Sequence, residues 1–184
     1  EFHGKGGPLT VSDFPEEHPV SKALVEACVE AGVPAKHDLN DGDQEGASFF
    51  QVTQRNGMRC STAVAFLHPA MGRSNLQVET RAMTTRILFD GKKAIGVEFR
   101  QGDEVRRVYA KREVILAAGS VESPKLLEIS GIGQGALLQE LGVDVIHESK
   151  MVGENLQDHL QIGCQARLKE DWHSINNRST GLNL

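Results

Sequence analysis

The clearest sign of ligand chemistry in this sequence is the junction between an apolar run and a helical pattern. The stretch AAGSVESPKLLEISGIG, residues 117–133, continues the run Val-Ile-Leu and reaches Gly119 just before that pattern begins. Ser123 and Pro124 are residue types preferred at an N-cap and at the first helical position. The amino end of such a helix would face the carboxyl edge of the strand, where open α/β sheets bind phosphates and other ligands. We therefore interpret the stretch as a nucleotide-binding edge.

Other groups of polar residues carry weaker signals. The segment DLNDGDQEGA, residues 38–47, has the acid and glycine content of a calcium loop but lacks the EF-hand spacing, so we interpret it as a solvated loop. His159 stands next to Asp158, yet neighbours on a helix face different ways, and a structural hydrogen bond is its expected role. The three cysteines are widely spaced and form no CxxC pair, which predicts buried or inert thiols. We assign no metal site.

Several common catalytic signatures are absent from the sequence. Its 184 residues contain no GxGxxG, P-loop, GxSxG or HExxH pattern. The nearest glycine cluster, GIGQG at residues 131–135, has the wrong spacing for a dinucleotide site and follows a helical pattern. It predicts that one helix stops there and another starts. The residues alone therefore leave the reaction open.

The first part of the chain predicts a helix, a hairpin turn and a second helix. After Pro19, apolar residues recur at helical spacing, which predicts a helix with one stripe facing a core. The stripe consists of Val20, Leu24, Ala27, Cys28 and Ala31. Residues 48–55 are β-prone and Asn56-Gly57 is a turn dipeptide. MRCSTAVAFLHPA, residues 58–70, then predicts a helix that is ended by its proline.

From Asn75 onward the pattern becomes β. Apolar alternation interrupted at Asp90-Gly91 and Gly102-Asp103 predicts a β-meander. The continuous apolar run at residues 114–118 predicts a strand covered on both faces, which is typical of a parallel strand in an α/β sheet. A helix at GALLQELG, a short strand at VDVIHE and a last alternating strand follow. The fold class we predict is α/β, in a mixed α+β arrangement.

Length and charge narrow the class of protein. A formal net charge of −5, a pI near 5.8 and 39% hydrophobic residues are ordinary for a globular protein and give no basic footprint for nucleic acid. No apolar run approaches the roughly 18 residues of a membrane span, and no signal-peptide pattern opens the chain. We therefore expect no nucleic-acid partner, no membrane span and a cytoplasmic location.

Several sequence blocks together resemble one enzyme family. Residues 119–133 match the second signature of the glucose-methanol-choline (GMC) oxidoreductases along their whole length, and VGENLQDH, residues 152–159, matches another block. The stretches that fit in the expected order are HGKGGPLTV, GMRCSTAVAFLHPA, NLQVETRA, RILFDGKKAIGVEF and REVILAAG. The resemblance covers nearly all of residues 3–168 and is nearest to the choline and alcohol dehydrogenases.

That resemblance implies FAD as cofactor and hydride transfer to the flavin from the CH–OH group of a small alcohol. It implies part of a Rossmann-like FAD domain at residues 74–160, and part of an antiparallel-sheet substrate domain at residues 1–73 and 161–184. By position in the family pattern, main-chain groups of Thr84 would contact the adenine, and Ala118 and Gly119 would lie along the ADP half of FAD. The family's GxGxxG loop would precede these residues and its catalytic histidine would follow them, so no residue here takes a catalytic role.

Two hypotheses from other classes stay open. One is a non-catalytic binding or scaffold module that retains the substrate-domain fold, and the other is a nicotinamide-dependent enzyme with an atypical phosphate loop. The lack of a glycine-rich turn after a first strand disfavours the second. If the chain is part of a flavoenzyme, we expect it to be inactive alone and to bind FAD weakly or not at all. An apolar strand without neighbours would also make it self-associate.

Overall fold

The chain folds as two compact units. A computed structural model describes residues 2–14, 17–164 and 167. One unit comprises Glu1–Gln77 with Gly163–Leu184, and the other is Val78–Ile162. Helices and antiparallel sheets occur together, which confirms the predicted mixed α+β class. The assignment of the two parts to substrate and flavin domains stays a prediction, and the last predicted strand lies mostly outside the described residues.

Helix α1 of the first unit, Pro19–Glu30, forms as predicted. The ring nitrogen Nδ1 of His18 accepts a hydrogen bond from the Val20 N–H at 3.3 Å and so caps its amino end. The predicted buried stripe is wrong, because Leu24 is 59% exposed. Apolar residues stand on more than one side of this helix, and packing within the unit selects the side that is covered. The half-buried positions are Val20, Ser21, Ala23, Val25 and Cys28.

A tight hairpin follows at the predicted turn. Its strands are β1, Gln54–Arg55, and β2, Met58–Arg59. Asn56 and Gly57 have φ values of 53° and 74°, the left-handed conformation that a type I′ turn requires. Residues 48–55 were predicted to be β-prone, but only Gln54 and Arg55 of this stretch belong to a strand. There Val52 forms only an isolated bridge to Ser12.

The helix predicted over residues 58–70 is shorter and differently built. It consists of a π-helical turn, Ala63–Leu67, followed by α2, His68–Ala70. Pro69 was predicted to end the helix, but it lies in the first turn of α2. Proline has no N–H for a regular helical bond, and the widened turn directly precedes it. The buried apolar side chains described in this unit are Cys60 and Ala65.

The second unit is built on the predicted β-meander. Its strands pair antiparallel in chain order. They are β3, Met83–Asp90; β4, Lys93–Gln101; and β5, Glu104–Tyr109. Thr84 pairs with Phe99 whereas Arg86 pairs with Glu98, which leaves Thr85 as the extra residue of a β-bulge. The strand that carries Thr84 is therefore locally irregular.

One long helix and three short elements complete the second unit. They are α3, Gly119–Ile129; β6, Ile132–Gly133; α4, Gly135–Glu140; and β7, His147–Glu148. Strands β6 and β7 are parallel, and Gly131 follows the end of α3 with a φ of 91°, so the predicted helix stop and restart is confirmed. The core consists of Ile87, Phe99, Leu126 and Leu138. No helix in the described part of the chain is long and apolar enough to cross a membrane.

The apolar run before α3 does not form the predicted strand. Residues 114–118 have no regular secondary structure, and the side chain of Ile115 is 79% exposed. A strand needs a neighbouring strand to satisfy its main-chain hydrogen bonds. The residues that the structure describes supply no such neighbour to this run. The prediction of a strand covered on both faces is therefore wrong for this structure.

Candidate functional site

The turn that leads into helix α3 has main chain open to the approach of a ligand. Ala118 caps the helix with φ −88° and ψ 6°, and Gly119 adopts a φ of 90°, where glycine is far less strained than other residues. A β-carbon built on Gly119 would have no atom within 4 Å. Both residues are exposed. A bulky planar or anionic group could therefore lie directly against the main chain here.

Ser123 has a different role from the predicted one. Helix α3 already begins at Gly119, so the N-cap predicted at Ser123 and the first helical position predicted at Pro124 are wrong. The Ser123 hydroxyl instead accepts a hydrogen bond from the Ala118 N–H at 3.0 Å. A serine can bond to the start of a helix from inside the first turns as well as from the cap, and the sequence does not distinguish the two. The bond fixes the turn that contains Gly119.

The N-cap residue of helix α3, Ala118, has no side chain that caps the first N–H groups, and the Ser123 hydroxyl accepts from the N–H of Ala118 itself. The first N–H groups of a helix lack partners within it and carry partial positive charge, so they attract phosphate oxygens. Glu122 lies in this first turn, and its carboxylate pairs with the Lys125 ammonium at 3.0 Å. The acidic side chain nearest the helix end is thereby partly neutralised.

Thr84 lies in strand β3 of the same unit and is half-buried. The bulge at Thr85 is next to it, and the Thr85 hydroxyl donates to the carbonyl oxygen of Glu98 at 3.2 Å. A bulge leaves one residue outside the regular ladder and bends the strand. The position predicted to meet adenine therefore adjoins a main-chain irregularity.

A buried hydroxyl joins the two elements that carry the predicted site. Ser130, at the end of α3, accepts a hydrogen bond from the Ile87 N–H of β3 at 2.8 Å. The structure thus packs the helix of Gly119 against the strand of Thr84. The sequence analysis did not single out Ser130. The one available signal was its position directly before Gly131, a glycine typical of the end of a helix.

A groove of about 610 Å³ lies between α3 and the segment that follows β7. Residues 152–157 of the VGENLQDH block form one side, and Val121, Pro124 and Glu128 contribute to the other. At Gly153, with a φ of 83°, a β-carbon would meet the Glu128 carboxylate at 2.7 Å. The positive φ favours glycine at this position, and the flexible Glu128 side chain lies against it. Two sequence blocks that match the family pattern pack against each other.

The acidic loop at residues 38–47 is held by a lysine. The Lys36 ammonium contacts the carboxylates of Asp41 at 2.9 Å and Asp43 at 3.1 Å. The hydrogen bond from Lys36 is the main cause that lowers the pKa of Asp41. The pKa of Asp43 is lowered mainly by a hydrogen bond from the Glu45 N–H and, to a smaller extent, by the hydrogen bond from Lys36. Across the described ranges there is no group of three side chains suited to hold a metal ion.

The histidine and cysteines singled out from the sequence have modest surroundings. The main-chain N–H of His159 donates to the carboxylate of Asp158 at 2.7 Å, and the residue is exposed. All three cysteines are free thiols: Cys60 is buried, Cys28 is half-buried and Cys164 is exposed. The contacts of these residues indicate no catalytic group.

Known families provide an independent comparison. A family model described as GMC oxidoreductase matches residues 2–161, which is most of the chain. The chain belongs to the GMC oxidoreductase family. The resemblance inferred from the sequence blocks is confirmed, and the match includes the whole turn into α3 and the VGENLQDH segment.

Relatives of this GMC chain include choline and alcohol dehydrogenases. Human mitochondrial choline dehydrogenase is 43% identical over 164 residues, which cover 89% of this chain and 28% of the relative. An alcohol dehydrogenase (acceptor) from Pseudomonas putida is 44% identical over 163 residues, covering 88% and 30%. A solved FAD-dependent oxidoreductase from Chaetomium thermophilum matches with a TM-score of 0.73 and 33% identity, over 79% of this chain and 26% of that one. The GMC chain thus spans less than a third of the length of these relatives.

Proposed function

We propose that this GMC chain supplies the wall of a flavin site that faces the ADP half of FAD, in an enzyme that oxidises the CH–OH group of a small alcohol. Family membership and an FAD-dependent relative support the cofactor. A choline dehydrogenase and an alcohol dehydrogenase among the relatives support the substrate class. The activity is proposed for a protein that contains this chain, because the chain covers under a third of those relatives.

The conformation of Gly119 carries the proposal. Its φ of 90° strains any other residue, and the space beside it is open within 4 Å. A glycine with this φ would be expected in a turn that has only a structural role. Such a turn would not, however, need to be followed by a helix end without a side-chain cap. Together, the open main chain and the free N–H groups fit a diphosphate bound at the start of α3.

The chemistry divides between the cofactor and the protein. FAD, when bound, accepts a hydride from the alcohol carbon. In this proposal the main chain of Thr84 orients the adenine, while Ala118, Gly119 and the first turn of α3 hold the diphosphate. We assign none of the residues to removal of the hydroxyl proton. We therefore expect the 184-residue polypeptide alone to be inactive and to bind FAD weakly or not at all.

The substitution Gly119→Ala tests the proposal in the full-length gene product. It should lower FAD affinity by about tenfold or more, because alanine adds a methyl group where the cofactor would lie and favours a different conformation of the turn that would contact it. Titration of the flavin-free protein with FAD, followed by flavin fluorescence, measures the effect.

Gly102→Ala is a matched control for that experiment. Gly102 also has a positive φ, 60°, and no atom within 4 Å of a β-carbon, but it lies in the turn between β4 and β5. It should suffer a comparable strain and keep its FAD affinity. Equal affinities of the two variants for FAD would contradict the proposed place of Gly119 in the site.

A further inference from the structure

Ser130 joins a helix and a strand through one buried side chain. It is 6% exposed and is the buried polar residue among those that the structure describes. Its hydroxyl accepts from the Ile87 N–H at 2.8 Å and donates to the Leu126 carbonyl at 2.5 Å. The donor and the acceptor capacity of the hydroxyl are therefore both used.

Each of these bonds takes the place of a main-chain hydrogen bond that a longer sheet or a regular helix would form. Among the described residues, β3 has a strand, β4, on one side only, so an outward N–H such as that of Ile87 has no ladder partner. In a regular helix the Leu126 carbonyl would accept from the Ser130 N–H, but that N–H bonds to the Leu127 carbonyl at 3.1 Å. Without the hydroxyl, two buried main-chain groups would lose their partner.

This joint, the hydrogen bond between Ile87 and Ser130, connects the two elements that carry the proposed flavin wall: β3 with Thr84 and α3 with Gly119. Thr84 is about 10 Å from Ile87 along β3, at the usual rise of a strand. Gly119 is about 16 Å from Ser130 along α3, at the usual rise of a helix. A rotation of about 5° at the joint would move Gly119 by about 1.4 Å relative to the strand, and misplacement of about 1 Å is enough to weaken a site.

We propose that Ser130 is a positioning residue for the ADP half of FAD, which acts through the Ile87 N–H to set the angle between α3 and β3. It contacts neither cofactor nor substrate in this role. The inference rests on the proposed function, because it requires that Thr84 and Gly119 bind the same ligand. A merely structural role would lower stability without a selective loss of FAD affinity.

The test compares FAD affinity across variants of the full-length, flavin-free gene product, at a temperature where all are folded. Ser130→Ala should bind FAD at least fivefold more weakly, as expected when both buried hydrogen bonds of the hydroxyl are lost and part of the change is passed on to the site. Ser130→Thr retains the hydroxyl and should recover most of the affinity. Leu138→Ala, a core truncation on α4, should lose at least as much stability and keep its affinity.

The outcomes separate the two proposals. Wild-type affinity in Ser130→Ala, or an equal loss in Leu138→Ala, would overturn the positioning role and leave the proposed function standing. A wild-type protein that takes up no FAD would overturn both. If Ser130→Ala does not fold, Ser130→Cys replaces it with the same expectation, because the thiol has a similar volume and forms weaker hydrogen bonds.

Discussion

Among single residues, Glu98 links all three strands of the meander. Its Oε2 accepts from the guanidinium groups of Arg86 on β3, at 3.1 Å, and Arg107 on β5, at 2.9 Å. The Thr85 hydroxyl shares its single hydrogen between Oε1, at 3.3 Å, and the Glu98 carbonyl oxygen, at 3.2 Å. Hydrogen bonds from the two arginines hold the pKa of the Glu98 carboxyl below its usual value, and the bond from Arg86 has the larger effect. The folded state therefore favours the ionised carboxylate.

Glu98→Gln should destabilise the protein in a pH-dependent way. A carboxyl whose pKa is lowered by folding contributes stability above its unfolded pKa, about 4.3, and loses that contribution as the pH falls through the folded pKa. The difference in stability between wild type and variant should thus be full at neutral pH and shrink below about pH 4. Urea unfolding across this range measures it. A difference independent of pH would show that the ion pairs contribute nothing.

The sequence proposes residues for the candidate site but does not predict the hydrogen bonds around them. Ala118 and Gly119 could be placed from the family pattern, and the structure puts them at an uncapped helix end. The bond from Ser130 to Ile87 could not be predicted, because it depends on the approach of α3 to β3. The sequence shows that a serine carries a hydroxyl, but it does not show which group that hydroxyl will bond to.

Among the secondary-structure elements, β4 and β5 leave no room for a side chain at Gly96. A β-carbon there would lie 2.2 Å from the Val108 carbonyl oxygen and 3.0 Å from the Tyr109 α-carbon. Gly96 is buried and pairs with Tyr109 in the ladder. The close pairing of these strands therefore requires glycine.

Gly96→Ala should lower stability by about 1–3 kcal/mol, because backbone atoms must shift to admit the methyl group. Gly72→Ala serves as the control, since a β-carbon at Gly72 meets no atom within 4 Å and its φ is not in the left-handed region. The control should stay within about 0.5 kcal/mol of wild type. Thermal unfolding compares them, and equal melting temperatures would contradict the tight contact.

Elements with local signals were predictable, and those that depend on neighbours were not. The meander and α1 follow from alternation, helical periodicity and turn residues that lie close in sequence. The apolar run at residues 114–118 forms no strand, because strand formation depends on a partner that its own sequence cannot specify. The start of α3 was misplaced for a similar reason, since Ser123 bonds back to Ala118 from within the helix.

For the whole molecule, exposed apolar side chains of the second unit are the main consequence of this architecture. The four most exposed are Ile115, Leu156, Leu160 and Ile162, at 79%, 69%, 92% and 82%. Isolated apolar residues are common on protein surfaces, but exposed apolar clusters favour association. The change to β character after Asn75 is visible in the sequence, whereas the partners of these side chains are not.

The 184-residue chain alone should therefore self-associate. Sedimentation velocity at micromolar concentration should show species larger than the 20.1 kDa monomer. The double substitution Leu160→Lys with Ile162→Lys should reduce their amount, because two ammonium groups replace exposed apolar surface. A monomer at every concentration would contradict this expectation.

Anaerobic reduction of the bound flavin by an alcohol, observed in the full-length gene product, tests the proposed function most directly. We predict that the purified protein carries FAD that denaturation releases, that choline or another small alcohol bleaches its visible absorbance, and that Gly119→Ala lowers its FAD content. A protein without flavin, or a flavin that no alcohol reduces, would contradict the proposal and favour a non-catalytic binding module.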